Sequence, residues 1–480
     1  MPYTYLKIFK NTLSYVPSKI LVMLSSLIIV PLFSHILEAK EMSVYFIAIQ
    51  FLNILCTCSS DWITKSVLRY HERYHMKYML EEFYSSIFAL TLIAHFIVIF
   101  IYFLFKDAIQ LHFGLDTATF ILVVTLVIPC GIRQLLYQYL RVKNNSFLYT
   151  LSIFLYQLIF ILLFLLLVKN VQNATSILVA MNIAIFVIDI YILKKIDFNL
   201  SFKISLKKQI LIETIHYALP IVLTNISYWL LLHFSKLYFQ NSSMFLYTSI
   251  IGFSLLLVYN IIQPVGSVFM FAGFPELVSK YEHKQKIMSY WTKLLQLYVM
   301  CILPLTLTFC FYFNEITRIF FPKEYFVGAI VLPFIALSAF GHELLKLINS
   351  KYHLQNKTHI EMIISLIVVP LSIILNIILI NKFSLIGAAI AFTLSESLLL
   401  LFNIFVKFKN FEYLNYFKII KTTFLIVSLG MIIYLGLNHL CNIIDLSHIG
   451  EMVLILFKLG LYLFIYYGIC FIFKNKILDY

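Results

Sequence analysis

Apolar residues come in long unbroken runs that recur along the whole chain. Each run is about 18 residues or more, the length a helix needs to cross the hydrocarbon of a bilayer. The runs predict about fourteen spans, at roughly 14–36, 43–64, 84–105, 118–140, 146–168, 175–193, 214–235, 244–266, 292–312, 326–348, 360–380, 385–406, 420–440 and 453–473. Connections are short, the longest about twenty residues at 65–83, 194–213 and 267–291. No stretch is left for a folded soluble domain. The first run lacks a small-residue cleavage site and is long enough to stay as a span, so no removable signal is expected.

Composition agrees with this pattern. Of 480 residues, 62% are hydrophobic and 12% charged, more apolar surface than a soluble domain can hide. The fold class expected is an all-α polytopic membrane protein.

Charge sets the orientation. Of 36 Lys and Arg residues, 27 fall on the side that carries the N-terminus, Lys65 to Lys77, Lys194 to Lys208 and the C-terminus. Short cytoplasmic loops are enriched in Lys and Arg, so both termini are expected in the cytoplasm. The net charge of +14 is then a consequence of topology, and no nucleic-acid partner is needed. The seven cysteines lie in or at the end of apolar runs and are read as buried free thiols. Cys56-Thr-Cys58 lacks partner ligands, so neither metal nor cofactor is expected.

An internal repeat follows. Tyr15-Val-Pro17 opens the first span and Tyr217-Ala-Leu-Pro220 the seventh. Tyr45 and Tyr247 recur at matching offsets, as do the polar runs that begin at Gly131 and Gly341. Two six-helix halves are expected, at 1–195 and 214–408, with a cytoplasmic linker at 196–213 and two additional helices at 409–480. Repeated halves are common in transporters, with the substrate site between them.

Polar stripes at helical spacing mark the spans that carry chemistry. The fourth span holds Arg133 deep in an apolar run, followed by Gln134, Tyr137, Gln138 and Arg141 on adjoining positions. A charge at that depth costs about 2.5–3.5 kcal/mol or more and usually faces a bundle interior, a partner or a wet cavity. The second span has Gln50, Asn53, Thr57, Ser60 and Asp61, with Lys65 one turn on and Arg69 just beyond. The seventh has Asn225, Trp229 and His233, then Lys236, which can snorkel near its outer end. Gln263 lies in the eighth, His342 and Glu343 in the tenth, and Lys19 in the first. Each also has a structural reading. Asp61 with Lys65, and Arg133 with Glu343, could be ion pairs; His95 could be a packed histidine and Glu396 a structural carboxylate. Arg69 and Arg73 could be topology determinants alone.

These residues resemble the Wzx-type flippases of lipid-linked oligosaccharides, a polysaccharide-transporter branch of the superfamily that includes the MATE exporters. The resemblance covers about residues 8–405 and rests on the order of weak motifs: Asn11 to Pro31, Ser66-Val-Leu-Arg69-Tyr70, Tyr217-Ala-Leu-Pro220, Phe321-Pro-Lys-Glu-Tyr325, and Asn376 with Ile386-Gly-Ala-Ala389. Family members often carry Asp-Arg near the end of the seventh helix, where this chain has Ser235-Lys236. The resemblance implies two six-helix repeats in a MATE-like V-shaped bundle. It also implies alternating access that moves an undecaprenyl-diphosphate-linked O-antigen or capsule repeat unit from the cytoplasmic to the periplasmic leaflet of the bacterial inner membrane. Membrane lipids and other polysaccharide-assembly membrane proteins are the further partners it suggests.

The residue types suit such a substrate. Arg133, with Lys19, Arg69 and Lys236, could hold a diphosphate. Asn225, Gln263, Tyr228 and Trp229 could meet sugars, His233 and His342 are further substrate-binding candidates, and Asp61 and Glu343 could bind a coupling ion or form ion pairs. Outward movement of an anion is assisted by the membrane potential at about 2.3 kcal/mol per charge per 100 mV. A cation-coupled drug exporter is the first rival, disfavoured because the first span has no carboxylate. An oligosaccharide polymerase or ligase is the second, disfavoured because no long external loop, carboxylate pair or nucleophile–base set is evident.

Overall fold

The computed structural model describes residues 16–143, 145–196, 207–282, 287–355, 357–406, 416–443 and 451–479. Asn11 to Tyr15 of the opening motif, most of the expected linker at 196–213, and Asn144 and Asn356 of the polar runs lie outside them. Every described element is helical.

Helix α1 is Val16–Ile36 and α2 is Ala39–Cys56. A π-helical segment, Thr57–Asp61, joins α2 to α3, Trp62–Met76. Helix α4 is Leu80–Leu104 and α5 is the short Lys106–Phe113, closed by Gly114 in the left-handed conformation at φ +66°. Helices α6 (Thr117–Val142), α7 (Ser146–Val168) and α8 (Ala174–Lys195) follow. Side chains cap their starts. Asp116, Asn145 and Asn173 each accept a hydrogen bond from the backbone N–H three residues on. Glu41 also accepts from the Ala174 amide, placing a carboxylate at the positive end of α8.

Helix α9 is Lys208–Asn241, α10 Phe245–Glu282 and α11 Ile287–Phe311. The short α12 (Phe313–Phe320) and a 3-10 turn (Lys323–Gly328) precede α13, Val331–Leu354. Helix α14 is Thr358–Phe405, and α15 (Tyr416–Ile443) and α16 (Glu451–Asp479) end the described chain.

Twelve described helices are long and apolar enough to cross a membrane, and Leu454–Cys470 within α16 is a shorter apolar stretch. Helix α14 accounts for two of the expected spans. Its 48 residues would extend about 72 Å at 1.5 Å per residue, beyond any bilayer. The helical path breaks at Ser384, with φ 51° and ψ −124°. Gly387 follows because any Cβ there would run into the Leu379 carbonyl. This is the place where the eleventh and twelfth spans are expected to meet. The chain is thus a multi-pass membrane protein of about fourteen helices.

The differences from expectation have local causes. The second span does not stop at 64; after the π segment it runs on as α3. The tenth begins at Val331 rather than 326, because Pro322 opens a 3-10 turn first. The connections near 106–117 and 313–325 contain short helices.

The chain forms two compact units. The first comprises Met1–Ser25, Leu32–Gly252 and Thr358–Ile373; the second comprises Ser26–Pro31, Phe253–Lys357 and Ile374–Tyr480. In the first, α6 packs on α2, α3 and α8, and α9 packs on α3. Ile63, Val67, Tyr74, Phe83 and Leu135 form part of its core. In the second, α11 is central and packs on α13, α15 and α16. There the Trp291 indole donates to the Leu347 carbonyl at 3.3 Å, and the Tyr298 hydroxyl to that of Phe340 at 2.7 Å. Large apolar side chains such as Phe96, Phe100 and Leu104 on α4 stay exposed, as suits a surface solvated by lipid.

Candidate functional site

The second and fourth spans meet along a polar seam in the first unit. The Ser60 hydroxyl donates to Gln134 Oε1 at 3.0 Å. Thr57 Oγ1 donates to Asp61 Oδ2 at 3.2 Å, and Lys65 acts electrostatically on the same carboxylate. The π segment is where this polarity is concentrated, and such single-turn irregularities are frequent at functional positions. His95 packs across the seam, its two ring nitrogens 2.6 Å and 3.1 Å from the Thr91 and Val127 carbonyls. Gly131 has no side chain because the imidazole of His95 occupies that place. The Cys56 and Cys130 thiols are hydrogen-bonded to each other, and both are free.

Arg133 is half-buried and faces protein. Its guanidinium lies 4.6 Å from the centroid of the Tyr156 ring on α7. Nη2 is 3.9 Å from Cys130 Sγ. The acidic neighbour that acts on it is Asp189, on α8. Asp189 is only 6% exposed, and its Oδ1 has no hydrogen-bond partner among the described residues. Neither support shows among the polar stripes of the sequence. Tyr156 lies in a plain apolar span, and Asp189 has only apolar neighbours one turn away. The available signal was the carboxylate itself, alone in an apolar run.

Glu343, weighed above as one alternative partner for Arg133, has a partner on its own helix. Glu343 is buried and pairs with Lys346 one turn on, at 2.5 Å. Its neighbour His342 has Nδ1 3.3 Å from Glu396 Oε1, with the Tyr259 ring 6.1 Å away. Glu396 is 1% exposed and its other oxygen has no partner among the described residues. Gln263 is exposed. These three expected site residues, Gln263, His342 and Glu343, belong to the second unit.

On α9, the Trp229 indole donates to the Gln50 carbonyl at 3.1 Å, and His233 sits edge-on to it at 5.4 Å. His233 Nδ1 and both amide atoms of the buried Gln50 have no partner among the described residues. Asn225 is half-buried on the same helix. Lys236, on the same helix, is 4% exposed. Helix α9 continues to Asn241 and leaves position 236 more than a turn short of the end.

Arg69 is exposed midway along α3, 4.7 Å over the ring of Tyr217. Next to it, Arg73 pairs with Glu213 at 3.2 Å, and the Tyr74 hydroxyl donates to Glu213 at 2.9 Å. Burial first, and then the Glu213 carboxylate, push the Tyr74 phenol up to about 12. Lys19 is half-buried on α1. Among the described residues no group of His, Cys, Asp and Glu has the arrangement of a metal site.

Comparison with known proteins places the fold. No family model matches the chain, and no curated protein does. Solved structures do. The lipid II flippase MurJ, in an inward closed conformation, matches with TM-score 0.69 over 97% of this chain and 99% of that one, at 18% identity. The eukaryotic MATE transporter AtDTX14 matches with TM-score 0.60 over 84% of this chain and 97% of its own, at 15% identity. The MATE multidrug transporter DinF-BH, solved as a complex, matches with TM-score 0.57 over 83% and 94%, at 16% identity. At these identities the likeness is one of fold, and the chain has the fold shared by the lipid II flippase MurJ and the MATE transporters.

Proposed function

We propose that this protein is a flippase for a lipid-linked oligosaccharide, carrying an undecaprenyl-diphosphate-linked O-antigen or capsule repeat unit from the cytoplasmic to the periplasmic leaflet. The observation that carries the reading is coverage. The likeness to MurJ takes in 97% of the chain, whereas the MATE structures leave about a sixth of it unmatched. Charge is consistent with an anionic cargo. Arg133 is held in the membrane by an aromatic face and one acidic neighbour, and a guanidinium in such a setting offers forked donors to a diphosphate. Lys19, Arg69 and Lys236 are further cations of the first unit. Asn225, Tyr228, Trp229 and Gln263 are proposed sugar contacts, His233 and His342 further substrate contacts, and Asp61 and Glu343 the groups for a coupling ion or a structural ion pair. The cycle is alternating access in the inner membrane, with both termini in the cytoplasm and no chemical step on the substrate.

The test is surface polysaccharide in a strain whose own copy is deleted. Wild-type protein should restore it, and Arg133→Gln at equal membrane level should not. Equal restoration by both would remove Arg133 from the reading.

The MATE likeness also favours a second reading, export of an organic cation. Reconstituted vesicles that move a cationic dye, and lose this with Asp61→Asn, would establish it in place of the first.

A further inference from the structure

The first unit contains a cavity that none of the proposed head-group contacts line. Its volume is about 820 Å³, within the roughly 300–1,000 Å³ range of ligand pockets. Its walls come from α2 with the π segment, α4, α5 and α9, and are almost wholly apolar. Phe51, Ile101, Tyr102, Phe105, Leu230 and Phe234 contribute much of that surface.

Two features distinguish this from a patch of ordinary lipid-facing surface. The first is that one end is built. Helix α5 is fixed to the end of α9 by Gln240, which donates to the Phe113 carbonyl at 2.9 Å. His112 Nδ1 and Asn241 Oδ1 meet at 3.1 Å beside it. The second is the division of α9. Leu230, Phe234, Leu237 and Tyr238 line the cavity, while Asn225, Trp229 and His233 follow the adjacent strip of the same helix. The same division runs through α2, where the Gln50 carbonyl takes the Trp229 indole and the next residue, Phe51, lines the cavity. Two helices therefore present a polar strip and an apolar hollow side by side. That is the complement of an amphiphile with a polar head joined to a long hydrocarbon tail.

We infer that this cavity binds the polyprenyl tail of the lipid-linked substrate while the head group is handled along the polar strip. The inference rests on the flippase reading for its choice of tail. A bilayer phospholipid chain is the competing occupant, and the hydrophobic gain per buried methylene, about 0.8 kcal/mol, is similar for both. The juxtaposed polar strip selects the chain that carries a diphosphate-linked head.

The experiment measures binding, not transport, with the full chain in phospholipid nanodiscs. The probes are undecaprenyl diphosphate and geranyl diphosphate, which share a head and differ in tail. Wild type should bind the long chain at least about tenfold more tightly. Ala108→Trp, which fills the cavity from the exposed helix α5, should erase that advantage and leave geranyl diphosphate affinity unchanged. Ile101→Trp serves as the second filling variant, and thermal unfolding confirms that both are folded. A photoreactive residue at Leu230 should label undecaprenyl diphosphate in preference to phospholipid. Equal affinity for the two probes, an advantage that survives both fillings, or labelling of phospholipid alone would each overturn the inference. The probe carries no sugar and nothing is translocated. Chain-length dependence in a protein that fails to move oligosaccharides would sink the flippase reading and leave the cavity assignment standing.

Discussion

Arg133 in the first compact unit and Glu343 and Glu396 in the second are held in different ways. In the second, Glu343 has Lys346 at 2.5 Å on its own helix, and Glu396 has His342 at 3.3 Å. Each acid is met by a nearby base, which is how buried charge is normally made tolerable. In the first, Arg133 rests on the ring of Tyr156, with the carboxylate of Asp189 as its acidic neighbour. It also has Cys130 Sγ 3.9 Å from Nη2. On the proposed function, the guanidinium is the group that meets the diphosphate, and the acid–base contacts of the second unit hold its helices together.

Breaking the second unit's pairs should cost the most stability. Lys346→Met leaves a buried carboxylate without its ammonium and should destabilise the protein by about 3 kcal/mol. Adding Glu343→Gln should recover most of that. Thermal unfolding of the single and double variants in detergent checks it, and a double variant no better than Lys346→Met would show that the pair is not what stabilises α13. In the first unit, Arg133→Gln should cost less stability than Lys346→Met, because Asp189 acts on Arg133 without a direct ion pair among the described residues, and should lower transport at least about tenfold, or 1.4 kcal/mol in the barrier. Arg133→Lys should not rescue it, because an ammonium has no planar fork to lay on Tyr156 and present to a phosphate. A transport rate for Arg133→Lys close to wild type would reduce the role of that residue to net charge.

Smaller effects sharpen the picture on α9. Trp229→Phe removes the donor to the Gln50 carbonyl and should cost about 1 kcal/mol in stability. Tyr74→Phe should cost a similar amount at about pH 8, by losing the donor to Glu213. The raised phenol gives this last contribution a definite pH window. It is fully present below the ordinary phenol value of about 10 and is lost as pH rises through about 12. Wild type and Tyr74→Phe should therefore converge in unfolding temperature across that interval and stay apart below it.

Much of the fold was legible in the sequence because a bilayer leaves the backbone little choice. An apolar run long enough to cross must be helical, so the runs mark the helices. The stretch Ile386-Gly-Ala-Ala389 marked the break inside α14, whereas the caps at Asp116, Asn145 and Asn173 were seen only in the structure. What the runs could not show was where helices continue past the hydrocarbon, as α3 and the end of α9 do.

The site was legible only in part. Stripes at helical spacing drew attention to Arg133, Asp61, Trp229 and His342, because several polar residues share one face. They could not reveal partners that come from elsewhere in the chain. Asp189 has only apolar residues one turn away on its own helix, and Tyr156 looks like any aromatic residue in an apolar span. Glu343 drew attention through its place in the repeat, and the sequence also carries its observed partner, Lys346, one turn on.

The most direct test of the whole account is translocation by purified protein. Vesicles containing it are loaded on one leaflet with a fluorescent polyprenyl-diphosphate-linked oligosaccharide, and its appearance on the other leaflet is timed. The account predicts movement with wild type and at least about tenfold slower movement with Arg133→Gln. No movement of this lipid, together with uptake of an organic cation by the same vesicles, would contradict it.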